Sequence, residues 1–299
     1  MKIFLTGATG FVGQELLSQL VREDFTVRCL VRSGSGSRLP EYPGVEIHTG
    51  DASTLSTLNG AMNGCEAAIN LIGIIREFPG RGVTFQKLHL EATENLIAAA
   101  RQQGVKRYLH MSANGTRPEA VTPYHRSKWQ AEEAVRGSGL DWTIFRPSLI
   151  YGPNDQFVNM LAEMVRKLPL VPVMGNGQYR MQPVSVDSVA RGFVRALAMK
   201  DSIGQTYHCG GPQPLSYDRI LDLIGKSLGK ASVGKLHHPL LMMRPVVSVM
   251  EKFSFFPITK GQLQMLLEEN CCDPDPWQRF FEIEQPSFEA GIATYLKNR

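Results

Sequence analysis

Tyr124 and Lys128 stand four residues apart in the run Tyr124-His125-Arg126-Ser127-Lys128, so on a helix they project from one face, one turn apart. An ammonium held beside a phenol favours the phenolate. This predicts a tyrosine with a lowered pKa, able to exchange a proton with a hydroxyl or a carbonyl. A second chemical signature lies at the N-terminus, in Thr6-Gly7-Ala8-Thr9-Gly10-Phe11-Val12-Gly13. It falls between an apolar run, Lys2 to Leu5, and a segment whose Leu16, Leu17, Leu20 and Val21 recur at helical spacing.

Between a strand and a helix, each glycine has a use: the first permits a tight turn, the second lets backbone approach a pyrophosphate, and the third lets the helix pack against the strand. The negative charge then meets amides at the helix N-terminus. Gly7, Thr9, Gly10, Phe11, Val12 and Gly13 are therefore the candidate phosphate-binding residues of a dinucleotide site. About twenty residues past such glycines, an acidic side chain commonly takes the ribose hydroxyls of NAD. Here that place holds Arg32. A guanidinium can pair with a 2′-phosphate and lacks the acceptor NAD uses, which favours NADP(H). Ser33 and Ser35 would serve either cofactor, so NAD(H) stays open. Arg28 is read as structural. Further along, Asn70-Leu71-Ile72-Gly73 closes a strand beside the expected cofactor cleft, and Gly73 would let the backbone pass close to a ribose.

The elements that must position these residues follow from periodicity. Strands are predicted at Lys2 to Leu5, Thr26 to Val31, Val45 to His48, Ala67 to Leu71, Arg107 to Met111 and Trp142 to Phe145, with helices at Phe11 to Glu23, Leu55 to Met62, Phe85 to Gln103 and Tyr124 to Gly137. Strands alternating with helices give an α/β fold, a Rossmann-type doubly wound parallel sheet, over residues 1–150. Beyond it, Pro153, Pro169, Pro172, Gly175, Gly177 and Pro183 break the rhythm. Residues 151–299 are read as a smaller substrate lobe, with a helix at 186–199 packing back on the first domain.

The glycine spacing, together with TGATGFVG (6–13), AINLIG (68–73), YHRSKWQAEE (124–133), FRPSLIYGP (145–153) and, more weakly, ITKGQLQMLLEEN (258–270), resembles the extended and atypical short-chain dehydrogenase/reductase superfamily. Within it the chain is most similar to bacterial relatives of the nucleotide-binding accessory subunit of respiratory complex I. The resemblance implies a set of roles. Tyr124 would be the general acid/base, Lys128 its tuner and nicotinamide-ribose anchor, and Ser112 the group holding the substrate oxygen. Asp51, with Ala52 beside it, would contact the adenine, and Leu71, Ile72, Gly73 and Pro147 would line the cofactor. Active members often carry two or three hydroxyl residues near Ser112. His110-Met111-Ser112-Ala113-Asn114 offers one, so Ala113 could hold that place and Asn114 could donate instead.

The composition narrows the function classes. A net charge of +4, from 32 basic against 28 acidic residues with no basic run among aromatics, argues against a nucleic-acid partner. The 5 cysteines are odd in number and form no C-x-x-C pair, which fits a reducing compartment; with no secretory signal read at Met1, the expected location is cytoplasmic. Adjacent Cys271 and Cys272, and the pair His237 and His238, lack further ligands in sequence, so no metal is expected. Arg180 is read either as an anion ligand or as one half of an ion pair.

The stretch from Pro239 to Met250, followed by Phe253, Phe255 and Phe256, is too short and too interrupted by Arg244 and Pro245 to span a bilayer. It is read as a buried helix or pocket wall, ahead of a membrane-surface or respiratory-complex contact. Its Leu, Met and Phe content points to an apolar carbonyl, hydroxyl or quinone-like substrate. Three functions stay open: an NADP(H)-dependent oxidoreductase or epimerase, a cofactor-holding structural or assembly module, and a sensor of the NADPH to NADP ratio.

Overall fold

The computed structural model describes residues 1–251 and 258–297. Phe253, Phe255 and Phe256, which the apolar stretch brought into the sequence reading, lie outside them. The chain divides into two compact units, one made of Met1–Pro147, Asp187–His208 and Asp275–Ile283, the other of Ser148–Val186, Cys209–Pro274 and Glu284–Arg299.

The first unit is built on strands β1 (Lys2–Thr6), β2 (Thr26–Val31), β3 (Val45–Thr49), β4 (Ala67–Asn70), β5 (Arg107–Met111) and β6 (Asp141–Pro147). They pair in parallel in the order β3-β2-β1-β4-β5-β6, and the strand Gln205–Cys209 adds a seventh member beside β6. Helices α1 (Phe11–Arg22), α2 (Ala92–Gln102) and α3 (Pro123–Arg136) supply crossovers. Because helices cover the sheet, its central strands are apolar in continuous runs rather than alternately. Ile3, Phe4 and Leu5 of β1 are all fully buried, and side chains of that size contribute about 1.5–3 kcal/mol each when removed from water.

The order reverses between β1 and β4. In an open α/β sheet, ligands bind outside the carboxyl ends of the strands at such a reversal. The glycine loop follows β1 and the Leu71–Gly73 stretch follows β4, so both stand at that point.

Two helices differ from expectation. Instead of a helix over Leu55 to Met62 there is a single 3-10 turn, Leu55–Leu58. The helix expected over Phe85 to Gln103 begins with a π turn, Gln86–Glu91, before α2. The extra residue in that turn rotates the buried face. His89 becomes 1% exposed, whereas Leu88, which periodicity placed on the inner face, is half-buried.

In the second unit, helices Phe157–Lys167, Tyr217–Ser227 and Phe288–Leu296 share a core that includes Leu161, Val165, Ile220, Ile224 and Ile292. Short ladders, Val171–Met174 with Lys235–His238 among them, tie its loops. The helix Leu240–Met250 runs through Pro245. It buries Val247 fully but leaves Leu241 84% exposed, so it is not covered on every side as a buried helix would be. No helix among the described residues is long and apolar enough to cross a membrane.

Candidate active site

The glycine loop after β1 is fixed by its backbone. Gly7 has φ +77°, a conformation that side-chain-bearing residues rarely adopt. A Cβ on Gly13 would lie 2.1 Å from the Gly7 carbonyl oxygen, and one on Gly7 would lie 3.1 Å from Leu71 Cβ. The loop after β1 therefore packs on the loop after β4. The Gly10 amide donates to Gly7 O at 3.0 Å, which closes the turn. The first amides of α1 have no acceptor within the helix, and its first turn carries no acidic side chain. Such a cradle fits a pyrophosphate: the close contacts leave room only for glycine, and the helix dipole favours an anion at this end.

Helix α3 carries the second half of the site. Thr122 caps it by accepting from the His125 amide, and Pro123 opens it, both favoured choices at a helix start. Lys128 is 2% exposed, and its Nζ donates to Ile72 O at 3.3 Å and Met111 O at 3.1 Å. It thus joins the carboxyl ends of β4 and β5. A Cβ on Gly73 would lie 3.1 Å from that Nζ. Tyr124 is half-buried, its ring meeting Phe85, His89 and His125 edge-on. Its hydroxyl takes no hydrogen-bond partner among the described residues.

A family profile described as NAD(P)H-binding matches residues 7–200. The chain belongs to this NAD(P)H-binding family. Among its relatives is NADH dehydrogenase [ubiquinone] 1 alpha subcomplex subunit 9, mitochondrial, of Arabidopsis thaliana, 31% identical over 229 residues. That alignment covers 73% of this chain and 56% of the relative, so the chain matches little more than half of that protein's length. The 4-hydroxy-2-methyl-3-oxo-4-farnesyl-3,4-dihydroquinoline-1-oxide ketoreductase of Stigmatella aurantiaca is 28% identical, covering 79% of this chain and 76% of its own. The dTDP-glucose 4,6-dehydratase of Streptomyces venezuelae, solved with NAD bound, superposes with a TM-score of 0.78 at 20% identity, over 99% of this chain and 96% of that one. The family match shows the dinucleotide-binding class, the superposition shows the Rossmann-type fold, and the alignments show similarity to complex I subunits.

Electrostatics within the candidate site depart from expectation in one respect. Burial pushes the Tyr124 phenol up to about 12, rather than down. Burial also lowers the Lys128 ammonium to about 8, against the pull of Glu132. Burial of each group, rather than the attraction that their helical spacing suggested, sets both shifts.

Ser112 is 4% exposed, and its hydroxyl lies 3.4 Å from Thr116 Oγ1. The Asn114 amide donates to Pro147 O at 2.9 Å, which links the chain after β5 to the end of β6. Arg32 is exposed just beyond β2. Asp51 closes a local turn by accepting from Ser53. Burial raises the Asp51 pKa, but the two Ser53 hydrogen bonds and the charges of Arg32 and Lys87 hold it below the usual value. The Ala52 carbonyl accepts from Asn95.

Arg28 pairs with Glu46 and donates to two carbonyls, a structural role. Arg180 is exposed and pairs with Glu269 through two bonds of 3.0 and 2.8 Å; it is one half of an ion pair. His237 has a carboxylate partner after all, since Asp218 from another element comes within 3.0 Å. Among the described residues, no three His, Cys, Asp or Glu side chains cluster as a metal site.

The sequence reading missed a set of buried polar groups behind the site. Asn70 Oδ1 accepts from Thr6 Oγ1 at 2.8 Å and from the Ile72 amide at 3.1 Å, while its Nδ2 donates to Thr93 at 3.2 Å. Glu132 is fully buried and accepts from Arg146 and Arg136. His208 lies 3.4 Å from Arg146 and 2.8 Å from Asn114 Oδ1. Because Arg146 can only donate, His208 Nε2 accepts and its Nδ1 donates, which fixes the Asn114 amide. The signal in the sequence was polar side chains on apolar faces, Asn70 ending β4 and Glu132 on the inner side of α3. Nothing in their spacing revealed the partners.

Proposed function

We propose that the protein is an NADP(H)-dependent oxidoreductase of the extended short-chain dehydrogenase type, acting on the carbonyl or hydroxyl of an apolar molecule. The observation that carries this reading is the convergence at one end of the sheet of the glycine loop, the Gly73 passage, the buried Lys128 and the half-buried Tyr124. Gly7 to Gly13 would hold the pyrophosphate through α1 amides, Arg32 the 2′-phosphate, Asp51 and Ala52 the adenosine end, and Lys128 the nicotinamide ribose. When bound, the nicotinamide supplies or accepts hydride. Tyr124 would supply or take the proton at the substrate oxygen, and Ser112 or Asn114 would hold that oxygen. An apolar substrate is supported by the leucine- and methionine-rich helix Leu240–Met250 and by the farnesylated ketone named for the Stigmatella relative.

NADPH and NADH titrations by calorimetry, with an Arg32→Ala variant alongside, test the cofactor. Turnover of lipophilic ketones by the parent and a Tyr124→Phe variant tests the chemistry. The expected result is a loss of about 10²–10⁴ in rate with NADPH affinity unchanged. Equal turnover in the variant would remove Tyr124 from the chemistry.

A second reading, a cofactor-holding module without turnover, is favoured by two observations: the Ser112 hydroxyl is buried against Thr116, and the Tyr124 phenol is pushed up rather than down. Bound NADPH would then act by stabilising the fold, by a few kcal/mol at saturation. A parent that binds NADPH and turns over no carbonyl substrate supports this reading.

A further inference from the structure

We infer that His89 is a positioning residue: its neutral imidazole bridges the loop after β4 to the helix turn that bears Tyr124 and Lys128, and so sets where those side chains meet the nicotinamide end of the cofactor. The role rests on the dinucleotide-binding reading above.

The bridge has one consistent direction. The Ile74 amide donates to His89 Nε2 at 3.1 Å, so that nitrogen carries no proton. The proton of a neutral ring is then on Nδ1, which donates to Ser127 Oγ at 2.8 Å. Ser127 Oγ in turn donates to Tyr124 O at 2.8 Å. Protonation of the ring would put a second donor against the Ile74 amide. Burial, reinforced by the nearby Lys128 charge, lowers the His89 pKa to about 2, so the direction holds over the whole working range of pH.

The two ends of this chain are the two parts of the site that must agree. The loop after β4 is gripped twice, at Ile72 O by Lys128 and at the Ile74 amide by His89. Gly73 lies between the grips, where a Cβ would stand 3.1 Å from Lys128 Nζ and 3.8 Å from His89 Nε2. On the other side, the Tyr124 carbonyl ends the chain in the same turn that leads to Lys128. The π turn makes this possible. It carries His89 inward, stacks it on Phe85 with centroids 5.2 Å apart, and sets both rings edge-on to Tyr124. Thr93 anchors the turn by donating to His89 O at 2.6 Å and accepting from Asn70. Insertions of this kind in helices are frequent at functional sites.

The test separates a role at the nicotinamide end from a general structural one. Imidazole 15N NMR of the parent, without cofactor, should give the Nδ1–H tautomer with shifts constant across neutral pH. Calorimetry then compares NADPH with 2′,5′-ADP, which carries only the adenosine end. His89→Phe keeps the ring but removes both bridging nitrogens. It should weaken NADPH by about tenfold, the loss of one to two ordinary hydrogen bonds, and leave 2′,5′-ADP within twofold. Ser127→Ala breaks the bridge at its far end without disturbing the ring. It should show the same pattern at smaller size, and it stands as the test if His89→Phe does not fold.

Equal losses for both ligands, or none for either, overturn the positioning role. An Nε2–H tautomer in a parent that binds NADPH overturns the bridge alone. A parent that binds neither ligand overturns the dinucleotide reading and this role with it.

Discussion

The glycine loop and the Tyr124–Lys128 turn stand at the same end of one sheet, yet they are held in different ways. The loop is held by its own backbone: Gly7 at positive φ, and Gly13 pressed against Gly7 O. The Tyr124–Lys128 turn is held by groups distant in sequence, with Lys128 reaching Ile72 O and Met111 O, and His89 reaching Ile74 and Ser127. A site of the first kind is sensitive to a methyl group in one place. A site of the second kind is sensitive to changes in several elements, none of which need touch a ligand.

The largest expected effect lies behind the second region. Glu132→Ala leaves Arg146 and Arg136 without their buried carboxylate, at a cost of about 3 kcal/mol, the low end for a broken buried pair because Arg136 keeps some contact with water. Urea unfolding checks this; a loss below about 0.5 kcal/mol would mean that the network does not support the turn. Next comes Gly13→Ala in the first region. Its Cβ clash should cost about 1–3 kcal/mol and abolish measurable NADPH binding in a calorimetric titration. Gly10→Ala, whose Cβ would sit 3.2 Å from Gly7 O, should cost much less stability while still crowding a pyrophosphate. If both variants lose equal stability, the loop is not held by close backbone packing.

A pH dependence follows from Lys128. Its pKa falls from 10.5 unfolded to about 8 folded, so between those values the unfolded chain binds the extra proton and stability rises with pH. The parent should therefore gain stability relative to Lys128→Met between pH 7 and 9.5, as read by denaturant midpoints. A constant difference would mean that the ammonium is not desolvated as its burial implies. The smallest effect belongs to Arg32. It is exposed, and Arg32→Ala should weaken NADPH by about tenfold while leaving NADH within twofold; equal changes would dissociate Arg32 from the 2′-phosphate.

Much of this was legible in the sequence. Strands β2 and β5 begin and end where the sequence placed them, at Thr26–Val31 and Arg107–Met111, because each carries buried apolar residues, Val27, Leu30 and Val31 in one and Tyr108 and Leu109 in the other, in a run too short for a helix. The glycine loop was legible because close packing and positive φ restrict the residue type itself. The Tyr124–Lys128 spacing was legible because four residues make one helical turn, but its electrostatics were not: burial moved the phenol upward, and burial is a property of the surrounding fold. His89 was hidden by the π turn, which shifts the face on which helical period counts. His237 gained Asp218 from a different element, and Arg180 gained Glu269. In the first unit, Trp277 from the segment Asp275–Ile283 is fully buried beside Gly192 and Phe145, an association that no local pattern announces.

The sequence by itself therefore determined the Rossmann-type sheet, the glycine loop and the helix that presents Tyr124 and Lys128, since each is written in nearest-neighbour sterics and in a period of two or 3.6 residues. Only the tertiary structure decided the proton positions on His89 and His208, the pKa of Tyr124 and Lys128, and the partners of Asn70 and Glu132. Those depend on which distant groups share a water-poor interior, where each donor must find an acceptor and each charge a counter-charge.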